Sequence, residues 1–370
     1  LQYLTYKFRL KDGGNKRKQL LRWASAVNTV WNYCNEASYQ TLRKHSKWLS
    51  FKELTNLTAG SNKELELQSQ VVQQVCKEYV RKRVQTKRQK LSWRKSHGSK
   101  RSLGWIPCTN QNIVVYDGQE VVFNKKTFKF WKSREIPDTI KSVSFNEDAR
   151  GRWYVNFVCE VEEAPQYGML DLGVDLGIKT QATISDGRKF ERENLTKKYE
   201  DRLAMAQRAR KKKLVRTIQT KIANIRKDWN HKTANAILKD ARLVVIGDVS
   251  CTKLAKTKMA KSVLDSAWGQ LRLFLRYKAI RLGTIYMDQN ESWTTIPCSD
   301  CFERTGPSGL RGLSIREWVC SNCGSIHDRD VNAARNILRL GLQTPIKGIS
   351  TVKKRKSHKE NEEQENVVPA

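Results

Sequence analysis

The first part of the chain carries two kinds of hydrophobic pattern. Apolar residues recur at helical spacing over residues 20–40 and again over residues 67–80, which predicts two amphipathic helices. A strand is predicted at residues 2–10, and over residues 112–163 polar and apolar residues alternate in five short runs separated by turns. Alternation is typical of half-buried strands. The pattern therefore predicts a small β-barrel or sandwich with a helical insertion at residues 11–105.

The second part of the chain alternates strands and helices. Residues 168–185 are expected to form two strands joined by a tight turn, and the apolar run 243–249 is short enough for a buried strand. A long charged helical region is predicted from about residue 192 to 241. Another helix begins at Ser262, where Asp265 has a capping-box spacing, and ends at Gly283 before a strand at 284–288.

The net charge of the chain predicts a protein that binds a polyanion. Its 370 residues include 70 Lys and Arg against 37 Asp and Glu, for a formal net charge of +33. Such a surplus favours a nucleic-acid partner contacted over a large surface. No run of 18 apolar residues and no opening apolar segment with a cleavage site is present, so we expect neither a membrane-spanning nor a secreted protein but a cytoplasmic one, associated with nucleic acid and without a membrane partner.

Four of the nine cysteines have the spacing of a metal site. Cys298 and Cys301 form one CxxC pair, Cys320 and Cys323 form another, and 18 residues separate the pairs. Four thiolates in two such turns suit tetrahedral zinc, and because no coordination position stays open, the site is predicted to be structural. Spacing alone leaves heavier soft metals and an iron–sulfur cluster as alternatives.

Two acids occupy positions where nuclease carboxylates are expected. Asp175 lies in a predicted strand within GVDLGIKT, and Asp330 lies at the start of a predicted helix within HDRDVNAARNIL. Two-metal cleavage of a phosphodiester needs several carboxylates that converge from separate elements on Mg²⁺.

Several segments together resemble the TnpB family, the transposon-encoded RNA-guided endonucleases related to type V CRISPR effectors. They are GVDLGIK, NIRKDWNHK, LVVIGDV, SAWGQLRLFLRYKAIRLG, TTIPCSDC and HDRDVNAARNI. The resemblance covers essentially residues 1–343. It implies a guide RNA and a duplex DNA target flanked by a short adjacent motif.

The resemblance also implies an α+β multidomain fold. A wedge β-barrel (1–12 and 106–166) would hold an inserted helical recognition lobe (13–105). A RuvC-like RNase H α/β fold (167–292 and 326–343) would hold an inserted zinc ribbon (293–325). The remaining residues, 344–370, are predicted to be a disordered tail because they lack a core-forming pattern.

One departure from the family pattern decides the predicted function. The family places a catalytic glutamate in the strand that here contains Ile246, Gly247 and Asp248, and Gly247 occupies its position. Asp248 is expected to face away from Asp175, because successive strand residues point to opposite faces. We therefore predict that Asp175 and Asp330 are remnant acids that bind Mg²⁺ weakly or not at all. Rescue by another acid, Asp288 or Glu291, is the alternative.

The predicted function is accordingly that of the nuclease-dead TnpB-like repressors. The protein is expected to act as a monomer with one guide RNA, to bind matching DNA without cutting it, and to repress transcription by occupying a promoter. Two alternatives stay open: an active RNA-guided endonuclease with a rescued site, and a transposition accessory protein that carries no guide.

Nucleic-acid contacts are predicted at three places. The polar side of the helix that begins near residue 65 is expected to read the adjacent motif. Two basic runs, 81–101 and 208–216, are expected to contact backbone phosphates, and the first is predicted to be a linker or a groove wall. The predicted motif-reading residues are Ser69, Gln70, Gln73 and Gln74; the predicted phosphate contacts are Arg81, Lys82, Arg83, Lys87, Arg88, Arg208, Arg210, Lys211, Lys212 and Lys213.

Overall fold

A computed structural model describes residues 2–109, 113–116, 118–162, 164–166, 168–250, 254, 256–257, 260–312 and 314–343. The tail at 344–370, predicted to be disordered, lies outside the described residues. Apart from its first two residues, the chain divides into two compact units at residue 161, and each is described by itself. Among the described residues, no helix combines the length and the apolar character needed to cross a membrane.

The first unit contains four helices and seven strands among its described residues. They are β1 (Gln2–Arg9), α1 (Asn15–His45), α2 (Phe51–Leu57), α3 (Ser61–Glu64), α4 (Ser69–Thr86), β2 (Trp105–Thr109), β3 (Ile113–Tyr116), β4 (Glu120–Phe123), β5 (Lys126–Lys129), β6 (Ile140–Glu147) and β7 (Trp153–Val161). The hydrophobic row predicted at 67–80 is the buried face of α4, where Val71, Val75 and Tyr79 are fully buried.

The predicted closed β-barrel is not found among the described residues. The strands instead form a four-stranded sheet in the order β1-β7-β6-β2 and a separate three-stranded sheet in the order β3-β4-β5. A single isolated bridge, between Leu10 and Phe130, connects the ends of β1 and β5. β2 is an edge strand that contains Pro107, which has no N–H for a further neighbouring strand.

Aromatic side chains fill the core of the first unit. Phe8, Phe130 and Phe157 pack with ring centroids 5.2–6.0 Å apart. Trp23 of α1 meets Phe123 of β4 edge-on at 5.0 Å. Such pairs contribute about 1 kcal/mol beyond the area they bury, so α1 is anchored on the three-stranded sheet.

Two asparagine side chains of α1 hold part of the basic run 81–101 against that helix. This run was predicted to be a linker or a groove wall. Asn35 exchanges two hydrogen bonds with the backbone of Leu91, at 2.7 and 2.9 Å. Asn32 does the same with the backbone of Arg94, at 2.9 and 2.8 Å. A flexible linker is therefore wrong for this part of the run, because its backbone has fixed partners.

The second unit is built around a mixed sheet. Its elements are β8 (Leu170–Asp175), β9 (Thr180–Ile184), β10 (Lys189–Glu191), α5 (Leu195–Lys198), α6 (Glu200–Arg208), α7 (Lys212–Leu238), β11 (Ala241–Gly247), α8 (Ala260–Ser266), α9 (Trp268–Leu282), β12 (Ile285–Gln289), α10 (Gly309–Gly312), β13 (Glu317–Val319), β14 (Ile326–Asp328) and α11 (Arg329–Gln343). The helical region predicted over 192–241 is thus three helices. The turn between α6 and α7 places Arg210 at a left-handed φ of 53°.

The five-stranded sheet has the order β10-β9-β8-β11-β12. β8, β11 and β12 are parallel, whereas β9 and β10 pair antiparallel. β11 is the apolar run predicted at 243–249, and it is buried on both faces. Val244 and Ile246 face the cluster that includes α7 and α9, and Leu243 and Val245 face Ile337 of α11. Burial on both faces explains why this strand is continuously hydrophobic.

Candidate active site and metal centre

Asp175 is the last residue of β8 and is half-buried. β8 and β11 are parallel neighbours in which Val174 lies opposite Ile246. Asp175 and Gly247 therefore end their strands at the same edge of the sheet, the edge at which parallel α/β sheets bind their ligands.

Asp330 lies in the first turn of α11, which packs closely on the sheet. The close approach requires glycine at two positions. A Cβ atom at Gly173 would lie within 3.0 Å of the carbonyl oxygen of Ala334, and one at Gly341 would lie within 3.0 Å of the Val245 side chain. The absence of these side chains lets α11 carry Asp330 to the end of β8.

Glu291 occupies the place of the glutamate that Gly247 lacks. It follows β12, whose residue Gln289 lies opposite Gly247 in the parallel pairing. A Cβ atom added at Gly247 would lie less than 3.0 Å from Oε2 of Glu291. That oxygen is buried and has no hydrogen-bond partner among the described residues. A carboxylate from the segment after β12 therefore lies beside position 247.

The other two acids near this edge are bound to arginine. Asp248 pairs with Arg272 at 2.7 Å and leaves 58% of its side chain exposed. Asp288, the second rescue candidate, pairs with Arg272 at 2.8 Å and with Arg276 at 2.5 Å. Asp248 and Asp288 are thus both paired with arginine side chains, whereas Oε2 of Glu291 has no hydrogen-bond partner among the described residues.

Three acids share one electrostatic environment. Burial, followed by the charges of Glu291 and Asp330, raises the pKa of Asp175 to about 7. Burial and the charge of Asp248 raise the pKa of Glu291 to about 7, against the opposing effect of Arg272. Asp330 accepts hydrogen bonds from Arg316 at 3.3 Å. The charges of Glu291 and Asp330 thus repel that of Asp175, and a divalent cation relieves such repulsion.

The four predicted cysteines come together. Their sulfur atoms all lie within 4.8 Å of one another; Cys298 and Cys323 are separated by 3.7 Å and Cys301 and Cys320 by 3.5 Å. Tetrahedral zinc with Zn–S bonds of about 2.3 Å requires sulfur separations of about 3.8 Å. The cluster therefore fits a metal such as zinc.

Two neighbours of the cysteines were not predicted. Nε2 of the buried His327 lies 3.0 Å from Sγ of Cys298. The Thr305 hydroxyl, 3.1 Å from Sγ of Cys320, lowers the pKa of that thiol to about 6. Hydrogen bonds of this kind stabilise thiolates, the form that binds metal. Neither residue belongs to a CxxC pair, so spacing could not identify it.

The predicted motif-reading residues share one end of α4. Ser69 and Gln73 are exposed, and Gln70 and Gln74 are half-buried. Oε1 of Gln70 accepts a hydrogen bond from Thr109 at 3.3 Å. The four residues thus lie together beside the buried face of α4, and their contact with DNA remains a prediction.

Among the predicted phosphate contacts of the first basic run, Arg83 is structural. Arg83 is buried, donates to Ser38 Oγ at 2.8 Å and to the carbonyl oxygen of Leu49 at 2.9 Å, and stacks on Trp48. Its predicted phosphate contact is therefore wrong for this geometry, because the guanidinium is already enclosed. Arg81 pairs with Glu78, and the exposed members of this run are Arg81, Lys82, Lys87 and Arg88.

The second basic run lies at the turn between α6 and α7. All of its predicted contacts are exposed: Arg208, Arg210, Lys211, Lys212 and Lys213. Five cations on one tight turn form a compact positive surface that suits phosphate contact.

Comparisons with known proteins show what the chain is similar to. The family model Cas12f1-like, TNB domain, matches residues 268–337, which include Glu291, the four cysteines and Asp330. A Streptomyces pristinaespiralis protein named "Putative RNA-guided DNA endonuclease" is 30% identical over 91% of this chain and 89% of its own length. The Escherichia coli K12 protein InsQ, which bears the same description, is 25% identical over 91% of this chain and 92% of its own length.

A solved structure has a similar fold. It is the Cas12f1 chain of a cryo-EM complex with sgRNA and target DNA, with a TM-score of 0.57, 12% sequence identity, and coverage of 87% of this chain and 82% of that chain. At this level of identity the similarity concerns the fold, and it supports the mixed α+β architecture.

The relatives correct one prediction. We predicted that the chain is not an enzyme, and the names of both relatives, which describe endonucleases, contradict this. The prediction rested on the absence of a glutamate at position 247, where Oε2 of Glu291, from the segment after β12, lies in the space of a side chain. The particular likeness to nuclease-dead repressors has no support in these comparisons. With 30% identity over 91% of its length to such a relative, the chain belongs to the TnpB/Cas12f-like family.

Proposed function

We propose that the protein is an RNA-guided DNA endonuclease whose active site consists of Asp175, Glu291 and Asp330. One observation carries the proposal: the carboxylate of Glu291 fills the space beside Gly247, at the sheet edge where Asp175 ends β8. In this proposal the five-stranded sheet of the second unit is a RuvC-like nuclease fold, and the cysteine cluster is a structural zinc ribbon. The names of the relatives support the same reaction.

The three carboxylates suit Mg²⁺. We therefore propose that the site binds this ion, in place of the weak or absent binding predicted from the sequence. Hard oxygen ligands are those that Mg²⁺ prefers, and Oε2 of Glu291 is buried without a protein partner. Bound Mg²⁺ supplies Lewis-acid stabilisation of phosphoryl oxygens and lowers the pKa of bound water. The protein's part would be to hold the three acids near the same edge of the sheet. Burial, and next to it repulsion from Glu291 and Asp330, raises the pKa of Asp175, and a bound ion would relieve that repulsion.

Guide RNA and target DNA would be held mainly through their backbones. The net charge of +33 and the exposed basic turn at 208–213 suit phosphate contacts, while base pairing with the guide would select the sequence. Ser69, Gln70, Gln73 and Gln74 would read the adjacent motif from the end of α4. These assignments extend to this chain what the relatives' names say of those proteins.

The decisive experiment uses the protein purified with its co-purifying RNA. Duplex DNA that matches this RNA is incubated with the complex in Mg²⁺, and cleavage is compared among the natural protein, Glu291→Gln and Asp288→Asn. We expect the natural protein and Asp288→Asn to cut. Glu291→Gln should lose cleavage on the order of 10³-fold while DNA binding is retained, because a ligand worth several kcal/mol in the transition state is removed.

Two results would overturn the proposal. If the natural complex binds matching DNA and never cuts it, the site is inactive. If Glu291→Gln cuts as fast as the natural protein, Glu291 is not part of the site. The predicted repression of a promoter depended on an inactive site, and it stays untested.

A further inference from the structure

Glu291 lies in an irregular segment, unlike its two partner acids. Asp175 ends a strand and Asp330 begins a helix, whereas Glu291 follows β12 in a run of turns. Two residues later Trp293 has a left-handed φ of 70° and is 68% exposed. A non-glycine residue holds this strained conformation only where its surroundings fix the backbone. Some contact must therefore fix the segment that carries Glu291.

We propose that Asn336 is the residue that positions Glu291. Its Nδ2 donates to the carbonyl oxygen of Thr294 at 2.9 Å and to that of Pro297 at 2.7 Å. Thr294 in turn donates to the carbonyl oxygen of Glu291 twice, from its backbone N at 3.2 Å and from its Oγ1 at 2.9 Å. The inference deepens the proposed function and rests on it, because it concerns the third carboxylate of that site.

Burial makes these contacts strong and specific. Asn336 is 1% exposed and Thr294 is 4% exposed, so water cannot replace the bonds. Oδ1 of Asn336 is buried without a partner among the described residues. The orientation that lets Nδ2 serve two carbonyl groups thus leaves the acceptor unpaired. Flipping the amide would place oxygen against two carbonyl oxygens, so this position needs a donor.

The same helix also holds the cysteine cluster. One turn before Asn336, Asn332 donates to the carbonyl oxygen of Pro297 at 2.9 Å and accepts from the backbone N of Ser299 at 2.8 Å. Pro297 and Ser299 flank the ligand Cys298. α11 therefore carries Asp330 in its first turn. It also holds the segment of Glu291 through Asn336 and the first CxxC pair through Asn332. One rigid element sets the distance between two of the three acids.

Asn336→Leu tests this role, because leucine is close in size and lacks the donor. Mn²⁺ binding to the RNA-bound protein, counted by electron paramagnetic resonance, gives a readout that does not require cleavage. We expect Asn336→Leu to weaken Mn²⁺ binding about 10-fold or more, as changes behind a metal ligand do. The Mg²⁺ concentration for half-maximal cleavage should rise by a similar factor, and excess Mg²⁺ should restore cleavage.

Asn332→Leu is the matched control. It lies on the same helix and removes contacts to the cysteine segment, yet it leaves the Asn336 bond to Thr294 in place. We expect unchanged Mn²⁺ affinity in this variant and a reduced zinc content or a lower thermal midpoint. Thr294→Val, which removes only the hydroxyl bond to Glu291, gives a second route if Asn336→Leu does not fold, and it should weaken Mn²⁺ binding in the same direction.

A double variant separates positioning from simple stabilisation. If Asn336 acts through Glu291, Asn336→Leu should weaken Mn²⁺ binding no further in a Glu291→Gln background. Additive losses, or a lowered thermal midpoint with unchanged Mn²⁺ affinity, would overturn the inference alone. If Glu291→Gln itself changes neither Mn²⁺ binding nor cleavage, the proposed active site is wrong. This result differs from those that would overturn only the role of Asn336.

Discussion

Oε2 of Glu291 occupies the volume that a side chain on Gly247 would fill. The two residues belong to adjacent parallel strand ends, since Gly247 pairs with Gln289, two residues before Glu291. Gly247 has no positive φ that would require glycine. Space, and not backbone conformation, is therefore the reason for glycine at this position.

This relationship predicts the outcome of exchanging the two residues. Gly247→Glu alone should lower guided DNA cleavage and stability, because overpacking a filled site costs about 1–3 kcal/mol. The double variant Gly247→Glu with Glu291→Ala should regain part of the cleavage, since the carboxylate moves to β11 and its space is freed. Rates on guide-matched DNA and thermal midpoints measure both effects. Gly269→Ala is the control, because nothing lies within 4 Å of its Cβ position. Equal cleavage by Gly247→Glu and the natural protein would contradict the steric argument.

The raised pKa values predict a pH dependence. Asp175 and Glu291 have pKa values of about 7 in the folded protein, above the usual values near 4 in the unfolded chain. The folded state therefore binds more protons between about pH 4 and pH 7, and without added divalent ion these groups make it less stable as pH rises through that window. Metal binding needs the ionised acids, so Mg²⁺ affinity and cleavage should rise between about pH 6 and pH 8.

The pH prediction is checked with paired variants. Thermal midpoints of the natural protein and of Asp175→Asn are compared across pH 5–8, without a chelator so that zinc stays bound. The natural protein should lose more stability with rising pH than the variant does. Parallel curves for the two proteins would show that Asp175 titrates at its ordinary pKa.

Metal analysis should find about one zinc per chain, held by the four cysteines. Cys320→Ser should lower the zinc content and the thermal midpoint, because three sulfur ligands leave the ion under-coordinated. Cys159→Ser is the control: Cys159 is buried in β7, outside the cluster, and its replacement should leave the zinc content unchanged. Zinc-free protein prepared without chelator would refute the assignment.

Two basic residues one position apart should behave differently. Arg83→Met should destabilise the first unit by about 2 kcal/mol or more, because the Leu49 carbonyl and the Ser38 hydroxyl lose a charged donor. Lys82→Met should change stability by less than about 0.5 kcal/mol. It should reduce the slope of log affinity for RNA against log salt by about 0.7. Denaturant unfolding and salt-dependent RNA binding measure the two quantities. If Arg83→Met is as stable as the natural protein but binds RNA more weakly, Arg83 contacts phosphate as the sequence predicted.

Local pattern was sufficient for the strands and for the ligands that lie close together in the chain. The alternation and apolar runs identified β8, β9, β11 and β12 because a strand's faces are set by neighbouring residues. The two CxxC pairs identified the cysteine cluster because each turn brings its own two sulfurs together. Asp175 and Asp330 were identified with the help of family resemblance, since an acid at a strand end or helix start is common by itself.

Tertiary structure alone decided which acid completes the site and which basic residue is structural. Asp288 ends the strand predicted at 284–288 and Glu291 follows it, and nothing local shows which of the two joins the site. The register of β12 on β11 brings Glu291 to Gly247, while Arg272 and Arg276 of α9 bind Asp288. Arg83 likewise belongs to a run of cations and is buried only because Ser38, Leu49 and Trp48 meet it there. Such partners are distant in the chain, and their approach depends on how strands pair and helices pack, which the local pattern of polar and apolar residues does not encode.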